Sequence, residues 1–172
     1  RPNPTNLWKR RSFRLIKKYR SLGLKCYSMI LFNIVSPLSP MSFIGKKICY
    51  LAKRVKNKKI KKIMVGNINS IRDFGWIPEM VIPIYLMQYI KPQDIIVGTG
   101  KAMSVKKLIS HAFRYYNLDY KNFIKVDNKL IRKNERRKII CSMSKTIKLF
   151  KKWNWKPKII EKKFGNKICK NL

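Results

Sequence analysis

Asp94-Ile95-Ile96-Val97-Gly98-Thr99 is a short apolar run closed by a glycine, and Ser104 follows just before a stretch with helical spacing. Strand, glycine turn and serine-capped helix in that order predict a βα unit, its helix ending near Tyr116. The alternation extends in both directions. Upstream, a helix is expected over Asn6–Ser21, entered at Pro4 and left at Gly23, then a buried strand over Lys25–Asn33. The two prolines and two serines of Ile34–Pro40 predict a loop, Phe43–Val55 a helix, and the Lys- and Asn-rich Lys53–Lys62 a solvated or phosphate-bound segment. Ile63–Gly66 reads as a short strand, Ser70–Gly75 as a compact polar-aromatic stretch, and Pro78–Tyr89 as a helix carrying an awkward Pro83. Downstream come a strand at Phe123–Val126 and a helix capped by Ser142 or Ser144. Trp153-Asn154-Trp155-Lys156-Pro157-Lys158-Ile159-Ile160 and a basic tail close the chain. Alternating helices and strands argue an α/β fold. With 172 residues and no internal repeat, one domain over 1–160 with a tail over 161–172 is expected.

Charge sets the second constraint. There are 42 Lys and Arg against 7 Asp and Glu, a formal net charge of +35. Self-repulsion at that density opposes compaction, so a polyanion is the expected partner: RNA, DNA or an anionic membrane. Apolar residues still make up 45% of the chain, which excludes a merely disordered basic tail. Basic blocks lie at Lys9–Arg20, Lys46–Lys62, Lys129–Lys138 and Lys145–Lys170. Candidate RNA contacts are Lys9, Arg10, Arg11, Arg14, Lys17 and Lys18; Lys56, Lys58, Lys59, Lys61 and Lys62; and Arg136, Arg137 and Lys138. No RRM, KH, zinc-finger or helix-turn-helix signature is present, so binding would run through backbone and shape on structured RNA.

Other chemistries find little support. Cys26, Cys49, Cys141 and Cys169 form no close pair, and with His111 alone they make no zinc cluster; buried free thiols are expected. His111, between Ser110 and Ala112, reads as a packing histidine. Gly98-Thr99-Gly100-Lys101 lacks the spacing of a phosphate loop. Trp153 and Trp155 could stack on bases or pack in a core. The apolar run near Pro78–Ile90, broken by Glu79, Pro83 and Gln88, is too short to span a membrane. No secretory signal opens the chain, which starts at Arg1, so a processed or internal start is expected. Heavy Lys, Ile and Asn usage suits an AT-rich genome.

Five ordered motifs resemble one family. Gly66-Asn67 with Ile71-Arg72-Asp73-Phe74-Gly75 is similar to the G-N-x-x-x-x-R-D-[WF]-G stretch of GDP-mannose 4,6-dehydratases, of the extended short-chain dehydrogenase/reductase superfamily. Ile30-Leu31-Phe32-Asn33 with Ser36-Pro37 resembles their I-L-F-N-H-E-S-P loop. Lys91-Pro92-Gln93-Asp94 through Thr99-Gly100 to Ser104-Val105 resembles their strand–turn–helix. Val126-Asp127, Arg132 and Glu135 resemble V-D-x-x-x-x-R-P-x-E, and Trp155-Lys156-Pro157 the closing G-W-K-P. The resemblance implies a truncated Rossmann-like α/β fold, the C-terminal substrate-side half, without the cofactor half. It marks Asn33, Arg72 and Arg132 as vestigial nucleotide-sugar contacts; Arg72 and Arg132 could equally serve structural pairing, Arg72 with the loop of Asp73 and Arg132 near Glu135.

The resemblance also implies lost chemistry. The family's S-P-Y-x-x-x-K aligns with Asn3-Pro4-Thr5-Asn6-Leu7-Trp8-Lys9, keeping Lys9 but placing Thr5 where the acid/base tyrosine stands. A threonine hydroxyl is too weak an acid for that exchange. Ile34-Val35 replace a His-Glu, Leu38 and Ser39 replace arginines, and Trp76 replaces a histidine. No catalytic residue, cofactor, metal or small-molecule substrate is therefore expected. The leading expectation is a pseudo-enzyme serving as a structural RNA-binding protein beside rRNA and ribosomal proteins, in a mitochondrial ribosome. The alternative is the substrate-binding half of a split nucleotide-sugar dehydratase, and a third is an accessory subunit of a membrane complex.

Overall fold

The computed structural model describes residues 4–131, 133, 135–158 and 162–170. In chain order the elements are α1 (Pro4–Ser21), β1 (Ser28–Leu31), β2 (Asn33–Val35), α2 (Ile44–Lys56), β3 (Ile63–Val65), β4 (Ile71–Arg72) and β5 (Phe74–Trp76). Then follow α3 (Ile77–Met80), α4 (Ile82–Leu86), β6 (Asp94–Val97), β7 (Met103–Ser104), α5 (Val105–Tyr115), β8 (Ile124–Val126), β9 (Lys138–Ile139), α6 (Ser144–Leu149) and α7 (Lys162–Lys170), with single 3-10 turns between some of them.

The pairing is mostly parallel: β1 with β6, β2 with β5, β3 with β8 and β4 with β9, while β4 and β7 run antiparallel. The stretch 28–35 pairs first with β6 and then passes to β5. At that handover Phe32 N donates to Val97 O and Asn33 N to Asp73 O. The α/β class inferred from the alternation is the fold observed. In β6 the burial alternates, with Ile95 and Val97 inside, and the Ser104 side chain accepts from Lys107 N to cap α5 as expected.

Two cores form. One joins α2, α5 and α7 to β3 and β5 through residues such as Ile48, Ala52, Phe74, Leu108, Phe113 and Ile168; the other gathers Met80, Leu86, Ile95, Val97, Phe150 and Trp155. Gly66, just after β3, sits so close to the turn after β8 that a Cβ there would lie 2.7 Å from Leu130 O. Backbone cannot step aside cheaply, so Gly66→Ala is expected to lose about 1–3 kcal/mol. The urea midpoint should fall with the slope unchanged.

Four local expectations need correction. The helix expected over Pro78–Tyr89 is α3, α4 and a 3-10 turn, Met87–Tyr89. Pro83 has no N–H to continue α3, and each proline instead opens a new short helix. Asn33–Val35, placed partly in a loop, is a strand held by β5. The cap of α6 is Met143 with no side-chain bond; Ser142 and Ser144 share a 3.2 Å hydrogen bond instead. The segment expected to be a tail contains α7, whose Ile168 and Cys169 are buried against α2 and α5.

Candidate functional site

Asp73 lies between β4 and β5 and is fully buried. Its Oδ1 accepts from Thr99 N at 2.8 Å and Thr99 Oγ1 at 2.6 Å; its Oδ2 accepts from Gly100 N at 2.8 Å and Cys141 Sγ at 2.9 Å. Four donors offset the cost of burying a carboxylate. The Cys141 thiol is pushed up to about 12, first by burial and then by the hydrogen bond and charge of Asp73, so it stays a donor near neutral pH. Gly98 is required beside them, because a Cβ would lie 2.5 Å from Cys141 Sγ. The glycine turn after β6 is thus held by Asp73, which is itself bonded by Cys141 from a segment 68 residues away.

Beside this latch, Arg72 Nη2 meets Glu135 Oε1 at 2.7 Å, with side chains 12% and 22% exposed. Arg72 Nη1 donates to Ile71 O at 2.8 Å and to Arg137 O at 3.4 Å. The structural partner of Arg72 is therefore Glu135 and not the Asp73 loop. Asn33 Nδ2 donates to Asp73 O at 3.4 Å from the neighbouring strand. Of the three expected nucleotide-sugar positions, Arg72 lies on β4 and Asn33 on β2, bonded to the residue that follows Arg72. Arg132 lies outside the described residues.

A family model described as GDP-mannose 4,6 dehydratase matches residues 6–164. The chain belongs to the GDP-mannose 4,6-dehydratase family. GDP-mannose 4,6 dehydratase 1 of Arabidopsis thaliana is 32% identical over 138 residues, covering 80% of this chain and 37% of the relative. The Dictyostelium discoideum GDP-mannose 4,6 dehydratase is 25% identical over 166 residues, covering 86% and 47%. Among solved structures, RMD from Pseudomonas aeruginosa complexed with NADPH superposes with a TM-score of 0.75 at 21% identity, covering 91% of this chain and 51% of that one. A UDP-glucose 4-epimerase of Thermotoga maritima with UDP-glucose gives 0.68 at 16% identity, covering 92% and 49%. The fold is that of an extended short-chain dehydrogenase/reductase, and the chain spans about half the length of these structures and less than half of these two relatives.

Within this family member, the expected basic contacts fall on three different elements. Lys9, Arg10, Arg11, Arg14, Lys17 and Lys18 are exposed along α1, which is fastened at its end by Arg20, bonded to Asp94 at 2.9 Å and to Cys26 O at 2.8 Å. The side chain of Thr5 is outside the described part of α1. Lys56, Lys58, Lys59, Lys61 and Lys62 are exposed at and beyond the end of α2, and Arg136, Arg137 and Lys138 at β9. Trp155 is buried; its Nε1 donates to Glu79 O and its ring meets Phe150 edge-on, which places it in the core. Trp153 is half-buried under the Lys152 ammonium at 3.9 Å. Cys49, Cys141 and Cys169 are buried free thiols and Cys26 is half-buried. Cys49 is raised by its hydrogen bond with Cys169 and by burial. His111 is half-buried on α5. Among the described residues no group of three His, Cys, Asp or Glu could hold a metal, and no helix is long and apolar enough to cross a membrane.

Sequence reading missed the Asp73–Cys141 latch and the placement of α7. The first pairs residues 68 positions apart, and only the R-D stretch of the family motif hinted at it. The second was hidden by the lysines around Ile168 and Cys169.

Proposed function

We propose that this chain is the nucleotide-sugar side of a GDP-mannose 4,6-dehydratase-type fold, completed by an α/β half that carries the cofactor. The observation that carries this reading is the Arg72–Glu135 pair held on β4 next to the buried Asp73, whose backbone carbonyl accepts from Asn33 Nδ2. A guanidinium with rigid strand-borne support suits a diphosphate, which would compete with Glu135 for Arg72. The 172 residues contain no G-x-x-G-x-x-G turn, and Gly98-Thr99-Gly100 ahead of α5 lacks that spacing, so they do not fit a dinucleotide pyrophosphate, and no step of the reading runs through one. Thr5, at the position where the family motif has tyrosine, puts a hydroxyl of unsuitable acidity there, so dehydratase turnover by the chain alone is not part of the reading.

Arg72→Ala is expected to weaken GDP-mannose binding about 10- to 100-fold, the worth of a charge-assisted bond to phosphate. Calorimetric titration of both proteins checks it; equal affinities would remove Arg72 from the site.

The net charge of +35 favours a second reading, a non-catalytic RNA-binding component of a ribonucleoprotein such as a ribosome. A ribonuclease-sensitive shift in the sedimentation of the native protein supports it, and an unchanged profile contradicts it.

A further inference from the structure

We propose that the outer side of the α2–α5–α7 cluster docks the phosphate backbone of double-helical RNA; the inference rests on the second reading, not on the dehydratase one. The three helices pack on one another, burying Ile48, Cys49 and Ala52 of α2, Leu108, Ile109 and Ala112 of α5, and Ile168 and Cys169 of α7. Their sequences hold five, three and four Lys or Arg and no acidic residue. Lys47, Lys106, Arg114 and Lys170 are exposed and Arg54 half-buried, on faces turned away from those apolar stripes.

The acidic residues among the described ones lie off these helices and are occupied, Asp119 in a depression it shares with Arg114. Asp73 serves the glycine turn, Asp94 pairs with Arg20, and Glu135 pairs with Arg72. Glu79 accepts from Lys158 N, while Asp119 and Asp127 accept from Lys121 N and Lys129 N two residues on. Every carboxylate among the described residues thus holds local structure, and none lies on these three helices.

Rigidity separates this face from α1. The cluster is rooted in residues with no exposure, such as Ile48, Leu108 and Ala112, so its charges are held in fixed relation. On α1 the basic residues alternate with exposed Trp8, Leu15 and Tyr19. Tyr50, the exposed aromatic of α2, lies 5.9 Å beneath the Arg54 guanidinium, and Tyr115, the exposed aromatic of α5, meets the Tyr116 ring edge-on at 5.0 Å. Fixed charge beside rings that are already engaged suits phosphates of a duplex better than single-stranded bases.

The test is binding of a short RNA duplex across a salt series, with K47Q/R54Q/K106Q/R114Q/K170Q against the α1 variant K9Q/R10Q/R11Q/R14Q/K17Q/K18Q. Thermal melts confirm that both are folded. The cluster variant is expected to lose about 3–5 from the logarithmic salt slope and roughly 10²- to 10³-fold in affinity, while the α1 variant keeps most of both. Loss confined to the α1 variant, or equal loss in the two, overturns the assignment of the face and leaves RNA binding intact. Tighter cluster-dependent binding to a DNA duplex or to phosphatidylserine vesicles overturns the choice of partner. No binding by the unsubstituted chain removes the RNA reading itself.

Discussion

Asp73→Ala is expected to cost roughly 3–5 kcal/mol, because it strips the partners from Thr99 N, Gly100 N, the Thr99 hydroxyl and the Cys141 thiol at once. A domain of this size holds a margin of about 5–15 kcal/mol, so the variant should melt far lower or be partly unfolded at room temperature. Asp73→Asn should lose less, since its one remaining oxygen still accepts while its amide faces donors on the other side. A melt by circular dichroism orders the three proteins. An Asp73→Ala stability within about 1 kcal/mol of the unsubstituted chain would mean that water replaces the carboxylate, and that the latch is not what fixes the glycine turn.

Ile168→Asp is expected to lose a similar amount, roughly 3–5 kcal/mol, by placing an unpaired charge against α2 and α5. Its side chain has no exposure, and the neighbouring Cys169 is 3% exposed. Were residues 161–172 the solvated tail that their lysines suggest, the same substitution would change stability by less than about 0.5 kcal/mol. Urea denaturation distinguishes the two outcomes.

The strand–turn–helix around Gly98 was legible because all its signals are local: an apolar run, a glycine and a capping serine. The helices α2 and α5 were legible for the same reason. What escaped involves partners far apart in the chain. The loop-like Ser36-Pro37 concealed β2, whose pairing depends on β5 some 40 residues later. The Arg72–Glu135 pair spans 63 residues, so the sequence pointed to the adjacent Asp73 loop as its structural partner instead. At α7 the apolar stripe is so narrow that charge dominated the reading, although packing decides where the helix goes. Family motifs carried the site further than local patterns did, since they mark residues that meet only in the folded chain.

The most direct test of the nucleotide-sugar reading is a titration of GDP-mannose at about 1 M salt, where the screening length falls to about 3 Å and diffuse attraction to a cationic protein is suppressed. One saturable site, displaced by GDP and not by mannose, is the predicted result. Binding that fades with salt as fast as that of inorganic phosphate would contradict it, leaving only non-specific charge attraction.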